Sequence, residues 1–298
     1  GATIYVTLEP CCHHGKQPPC TEAIIKAGIK RVVIGSLDPN PLVSGKGMQI
    51  LREHNIQVNN KLVCNRECID MNYVFFHYIK EKLPYVIVKY AQTLDGKIAT
   101  HNGLSKWITG EAARENVHMD RHRYSAIMVG INTVLKDDPM LNCRSKAIEN
   151  PHQPVRIVCD TKLRIPYDSN LVKTAGQIPV WIVTCCHDKE RINMYEKAGC
   201  EIIAMEGEKI DIAQLMIILG RREIDSCICE GGAELNWSVI KSGMVKRIQA
   251  YIAPKIFGGV DAPVSVAGVG FDAPDDALKL KDYTVTRLGD DILIEGEV

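Results

Sequence analysis

Between Ser105 and Arg144 the chain gathers residues able to bind anions and move protons. Arg114, Arg121 and Arg123 fall within EAARENVHMDRHR, a predicted helix that Thr109 would cap. Arginines on a helix often form only a solvated face, so they decide nothing alone. The apolar run AIMVG reads as a buried strand ending at Gly130. Asn132 and Thr133 signal a helix start just past it. Asp137-Asp138-Pro139 stops that helix, and Leu141 and Arg144 continue into the next segment. One stretch thus offers a strand carboxyl end, a helix N-terminus, carboxylates and arginines. Helix starts attract phosphate, and open α/β sheets place ligands at strand carboxyl ends.

Three other places carry chemistry. Glu230-Gly231-Gly232 follows the apolar SCIC and precedes the amphipathic AELNWSVIKSG. Two glycines there allow close backbone approach to an anion such as a cofactor phosphate. Lys89 and Ala91 sit near the end of the strand pattern PYVIVKYA. An amine in an apolar strand either meets a ligand or snorkels to the surface; we favour the ligand. Pro10-Cys11 ends the strand pattern ATIYVTL, and Pro19-Cys20 opens a helix. Zinc deaminases use cysteines in those two settings, commonly as Cys-x-x-Cys, whereas eight residues separate Cys11 from Cys20 here. Cys64 and Cys68, four apart on a helical stretch, read as core packing, and Glu9 as structural.

These groups need elements to hold them. A length of 298 residues suggests two domains. With 46% hydrophobic and 24% charged residues, the composition is that of a globular protein with real cores. A formal net charge of +0 gives no support for a nucleic-acid or membrane surface. No apolar run approaches a membrane span and no signal peptide is visible. Twelve cysteines without secretion signals fit a reduced, cytoplasmic setting, most of them as small core residues. In the first part, strands and helices alternate through RVVIG, the Asp38-Pro39-Asn40-Pro41 turn and MQILREHNIQV, implying a parallel or mixed layer. KLVCNRECIDMNYVFFHYIKEK reads as a helical link ending at Leu83-Pro84. Further on, VRIVCD, VWIVT, CEIIAME and SCICE are strands with helices between several of them. YTVTRLGDDILIEGEV reads as an antiparallel hairpin. No Gly-x-Gly-x-x-Gly follows a strand, so a standard dinucleotide fold is excluded.

WITGEAAR, VGINTVLKDDPMLNCR and Cys229-Glu230-Gly231-Gly232 resemble the reductase half of the bifunctional pyrimidine deaminase/reductases of riboflavin biosynthesis. TLEPCCHHGKQPPC resembles their deaminase half. The resemblance implies an α/β protein: a cytidine-deaminase-like α/β/α domain over residues 1–80, then a dihydrofolate-reductase-like α/β domain over 81–298. It implies NADPH-dependent reduction of 5-amino-6-(5-phosphoribosylamino)uracil to the ribitylamino compound, with hydride reaching C1′ of the opened ribose. It places Arg121 and Arg144 on the substrate, through its phosphate, with Ser105, Leu141 and Glu230 lining that site. It places Ala91, Trp107, Thr133, Asp137, Thr161, Gly232, Ala233, Glu234, Leu235, Asn236, Trp237 and Ser238 on NADPH. Lys89, Asp137 and Glu230 are the expected catalytic groups; Asp137 would orient ribose hydroxyls or relay a proton.

In the deaminase half the resemblance assigns Cys11 and Cys20 to zinc, Lys16 to the substrate phosphate, and Asp38 and Asn40 to the pyrimidine pocket. The family's third ligand and proton-shuttling glutamate come from an upstream His-Ala-Glu motif, and this sequence starts at Gly1. The deaminase half is therefore expected to be incomplete and inactive as given, with His13 and His14 poor replacements. A second reading makes residues 1–80 a non-catalytic, zinc-stapled assembly module. The expected partners are a phosphorylated pyrimidine and further copies of the chain, in a dimer or tetramer, with no nucleic acid and no membrane.

Overall fold

Runs of valine and isoleucine set the strands, and helices return the chain between them. The computed structural model describes residues 1–15, 17–59 and 64–298. These divide into two units, Gly1–Leu83 and Pro84–Val298.

The first unit contains β1 (Thr3–Leu8), α1 (Cys20–Lys26), β2 (Arg31–Ser36), α2 (Lys46–Glu53), β3 (Gln57–Asn59), α3 (Asn65–Met71) and α4 (Tyr73–Glu81). Its sheet has the order β1-β2-β3, with both pairings parallel. Central β2 is almost wholly buried, as a continuous apolar run requires. Ile24, Val32, Ile34, Met48, Leu51 and Ile56 form the core under α1 and α2. Glu9 is structural: its buried carboxylate accepts the N–H of Gly45 at 3.0 Å and of Met48 at 3.2 Å at the start of α2. The predicted single helical link is two helices. At the break, the Asn72 side chain donates to the Cys68 carbonyl at 2.9 Å, competing with the helical pattern. Cys68 is buried, but Cys64 is exposed in the left-handed N-cap of α3, so only Cys68 packs in the core.

The second unit opens with β4 (Tyr85–Thr93), α5 (Glu111–Arg123), β5 (Ala126–Gly130), α6 (Ile131–Asp137) and β6 (Val155–Cys159). It continues through α7 (Asn170–Lys173), β7 (Val180–Thr184), α8 (Lys189–Lys197), β8 (Glu201–Ala204), α9 (Ile212–Arg221) and β9 (Ser226–Cys229). It ends with α10 (Ala233–Lys241), β10 (Val245–Ala253) and the hairpin β11 (Lys281–Leu288) and β12 (Asp291–Glu297). The sheet order is β11-β12-β10-β4-β9-β5-β6-β7-β8. The two outer pairings are antiparallel and the rest are parallel. After stepping outward through β5, β6, β7 and β8, the chain returns to insert β9 between β4 and β5. That reversal opens a crevice at the strand carboxyl ends, where a ligand fits.

Two helix starts differ from expectation. Gly110, not Thr109, is the N-cap of α5, because its N–H donates to the Asp291 carboxylate of β12 at 2.6 Å. Helix α6 starts at Ile131 directly after β5, so Asn132 and Thr133 lie inside its first turn.

Candidate active site

Parallel pairing of β4 with β9 sets Val88 opposite Cys229, which brings the next residues, Lys89 and Glu230, side by side. The Lys89 ammonium lies 3.6 Å from the Glu230 carboxylate. Helix α5 delivers Arg121 from the other side, and its Nε and Nη2 each donate to Glu230 at 2.9 Å. All three side chains are nearly buried. Burial alone would raise the Glu230 carboxyl, but Arg121 and Lys89 outweigh it and hold the pKa at about 2. Burial lowers the Lys89 pKa, with Glu230 opposing it. The result is an ionised carboxylate beside an amine whose proton is held less firmly than usual, a donor suited to general-acid work. Lys89 also sits 5.3 Å from the ring centre of Tyr251, whose hydroxyl accepts from Asn116 at 2.7 Å.

The second arginine meets the first at Asn142. Arg121 Nη1 donates to the Asn142 carbonyl at 3.2 Å, and Arg144 Nη1 donates to the Asn142 side-chain oxygen at 3.0 Å. Arg144 is exposed and has no carboxylate partner among the described residues. Its backbone N–H donates to His118 Nδ1 at 3.2 Å. His118 stands three residues before Arg121 on the same helix face, and its pKa is lowered by burial and then by Arg121 and Arg144. The sequence reading missed this histidine, although its spacing from Arg121 was the available signal.

Beside this cluster runs a cavity of about 420 Å³ at the carboxyl ends of β5, β6 and β9. Thr133, Thr161, Gly232, Ala233, Glu234, Leu235 and Ser238 line it together. Gly232 is the N-cap of α10 with no side-chain cap, so backbone N–H groups of the first turn stay available to an anion. A Cβ on Gly232 would meet nothing nearer than the Thr133 hydroxyl at 3.7 Å, so the glycine leaves a cradle open. Hydroxyls, free N–H groups and apolar walls suit a nucleotide diphosphate.

Other expected residues lie elsewhere. Asn236 is buried and donates to the Ser265 carbonyl at 2.8 Å, a structural tie. Trp237 packs edge-on against Phe271, with centroids 5.2 Å apart, and lines a separate groove. Ala91 packs with Ala113, Val117, Tyr251 and Leu293. Trp107 is exposed, stacked 4.5 Å from the Arg114 guanidinium. Leu141 is buried with a left-handed φ of 49°. Ser105 is half-buried in the loop before α5, and Asp137 is exposed at the far end of α6.

In the first unit, Cys11, His13, Cys20, Asp38 and Asn40 line one pocket. The Cys20 N–H donates to Cys11 Sγ at 3.2 Å, so the two thiols are adjacent. Asn40 N–H donates to Asp38 at 2.7 Å, fixing the turn. Two thiols supply part of a zinc donor set, and zinc in proteins takes three or four protein ligands. Among the described residues no group of three or more histidines, cysteines and acids is placed to hold a metal. Lys16 lies outside the described residues.

A mostly parallel sheet with a groove at its strand ends beside a Lys–Glu–Arg cluster defines an α/β reductase domain, here following a zinc-deaminase-type unit. Residues 84–294 match the model of the RibD C-terminal domain, and residues 1–36 match the cytidine and deoxycytidylate deaminase zinc-binding region. Riboflavin biosynthesis protein RibD of Actinobacillus pleuropneumoniae is 49% identical over 99% of this chain and 78% of its own length. Its Aquifex aeolicus counterpart is 42% identical over 99% and 80%. The crystal structure of a diaminohydroxyphosphoribosylaminopyrimidine deaminase/5-amino-6-(5-phosphoribosylamino)uracil reductase from Thermotoga maritima superposes with TM-score 0.85 at 35% identity, covering 99% of this chain and 79% of that one. The chain belongs to the RibD family of riboflavin biosynthesis enzymes. Its α/β class, with a deaminase zinc-binding region followed by a reductase domain, is the one expected from sequence. Saccharomyces cerevisiae riboflavin biosynthesis reductase Rib7 shares the reductase fold, with TM-score 0.56 at 21% identity over 76% of this chain and 99% of that one.

Proposed function

We propose that the second unit reduces 5-amino-6-(5-phosphoribosylamino)uracil with NADPH, giving the ribitylamino product. The Lys89–Glu230–Arg121 cluster next to the groove carries this reading. NADPH, when bound, supplies the hydride that C1′ receives. Gly232, Ala233 and Ser238 would hold its phosphates and Thr161 its ribose. Lys89 then faces the opening sugar and donates a proton to the ring oxygen as the C1′–O bond breaks. Glu230 keeps Lys89 charged until that moment and accepts from sugar hydroxyls, while Arg121 fixes Glu230. Arg144 binds the substrate phosphate from solvent, where its guanidinium fork has no competing carboxylate.

Cys11 and Cys20 would hold zinc in the deaminase-type unit, with Asp38 and Asn40 facing the pyrimidine. We place the enzyme in the cytoplasm as a homo-oligomer acting on a small phosphorylated substrate. All twelve cysteines are free, and no helix is long and apolar enough to cross a membrane among the described residues. Edge strand β11 exposes Tyr283 and Val285, an apolar strip a second copy would cover. The reductase reading is tested by following loss of reduced-nicotinamide absorbance with the phosphoribosylaminouracil. Substrate-dependent oxidation that disappears in Lys89→Ala supports it; none in the wild type overturns it.

A further inference from the structure

We infer that Lys209 reads the 2′-phosphate of the dinucleotide and so sets a preference for NADPH over NADH; this rests on the reductase reading above. The groove has a reaction end, fixed by Lys89 and Glu230 at the carboxyl ends of β4 and β9. From β9 the sheet runs through β5, β6 and β7 to β8, with neighbouring strands about 4.8 Å apart. Lys209 follows β8, yet it lines the groove together with Thr161, which follows β6. Lys209 therefore reaches the groove from the β8 edge of the sheet, the side away from β4 and Lys89. The part of the cofactor at that end is the adenosine half.

The local surface suits adenosine. Ile210 and Ile212 line the same wall and offer apolar area to a flat base. Lys209 adjoins them and is the one cationic side chain among the groove-lining residues. It is exposed, and among the described residues it enters no ion pair. Arg164, a cation in contact with the groove-lining Asn132, is already engaged: Nη2 donates to Asn132 at 3.4 Å, and Nε lies 3.8 Å from the Asp160 carboxylate. Thr161 cannot discriminate, because a hydroxyl bonds a ribose hydroxyl and a phosphate alike. An ammonium gains from a phosphate but little from a hydroxyl, and a charge-assisted contact of this kind is worth roughly tenfold to a hundredfold in affinity.

The test is equilibrium binding of NADP+ and NAD+, with 2′,5′-ADP and 5′-AMP as fragments, to the full chain by calorimetry. Wild type, Lys209→Ala, Lys209→Arg and Arg164→Ala are compared. Lys209→Ala should lose roughly tenfold or more for NADP+ and 2′,5′-ADP, with NAD+ and 5′-AMP unchanged. Lys209→Arg should retain the preference, and Arg164→Ala should leave it intact. A wild type that prefers NADP+ with the same ratio in Lys209→Ala overturns the assignment while leaving the reductase reading standing. Equal affinity for NADP+ and NAD+ in the wild type overturns the assignment as well. A wild type that binds neither dinucleotide overturns both.

Discussion

At the residue scale, the two arginines that look alike in sequence do different work. Arg121 is buried and committed to Glu230, whereas Arg144 is exposed and free of carboxylates. Arg144→Ala should raise the Michaelis constant for the phosphorylated substrate roughly tenfold to a hundredfold, as loss of one charge-assisted contact does. NADPH affinity should hold, and Arg144→Lys should recover only part, because an ammonium is a point donor and not a fork. Steady-state kinetics on the three proteins checks this. Asp120, beside Arg121, poses the opposite case of a carboxyl that its surroundings disfavour. Burial raises its pKa to about 6 against an ordinary 3.8, although Arg123 and Gln249 pull it down. Asp120 Oδ2 and Gln249 Oε1 are both buried without a partner, and Glu295, Glu230, Lys89 and Arg121 are the other charges around it. The folded chain thus binds this proton more tightly than the unfolded chain. Stability falls as pH rises from about 4 through 6 and stays lower above that. Asp120→Asn, which can donate to the Gln249 oxygen, should stabilise the protein at pH 8 by on the order of 1–3 kcal/mol and change little near pH 4. Denaturant titrations at the two pH values decide it.

At the element scale, α5 carries His118, Arg121 and the residues that meet Tyr251, yet it has no side-chain cap of its own. Its start is held by Asp291, a buried residue on β12, through the Gly110 N–H. Asp291→Ala leaves that N–H without its acceptor and should cost about 1–2 kcal/mol. Asp291→Asn keeps an acceptor oxygen and should lose only the charge contribution at the helix start, about 0.3–1 kcal/mol. Chemical denaturation of both variants checks the order, and a lowered turnover in Asp291→Ala would report the helix shift at Arg121. The elements themselves were legible in the sequence, because β-branched runs, glycine stops and amphipathic spacing are local signals. Their neighbours were not. Asp291 lies 181 positions from Gly110, and Glu230 lies 109 from Arg121. Only the insertion of β9 between β4 and β5 joins Lys89 to Glu230. The same distance effect explains Thr109, which has the type of a cap but is displaced by a better acceptor from another strand. The resemblance placed Trp237 and Asn236 on the cofactor with their neighbours, but the 3.6-residue period of α10 points Ala233, Glu234, Leu235 and Ser238 to the cavity and those two elsewhere. Lys209 had no local signal at all, since it sits in a polar loop whose reach depends on the whole sheet.

At the scale of the whole molecule, each unit has a hydrophobic core of its own. The large cluster runs from Val86 to Ile248 in sequence, and a second joins Ala113, Val117, Tyr251 and Leu293. The smaller cluster from Ile24 to Ile56 belongs to the first unit. The groove and the Lys–Glu–Arg cluster draw every residue from Pro84–Val298. That unit has a nine-stranded sheet, with helices returning the chain between its parallel strands, and enough buried apolar surface to fold independently. Among its described residues the first unit has three strands and a core cluster of six buried residues, which is small for independent stability. Residues 84–298 produced alone should therefore unfold in a single cooperative transition, bind NADP+ as the full chain does, and retain substrate-dependent NADPH oxidation. Calorimetry and the nicotinamide assay on the shortened and full chains make the comparison. A folded 84–298 that no longer binds NADP+ would show that the first unit contributes to the groove, and the assignment of the cofactor to residues of the second unit alone would fall.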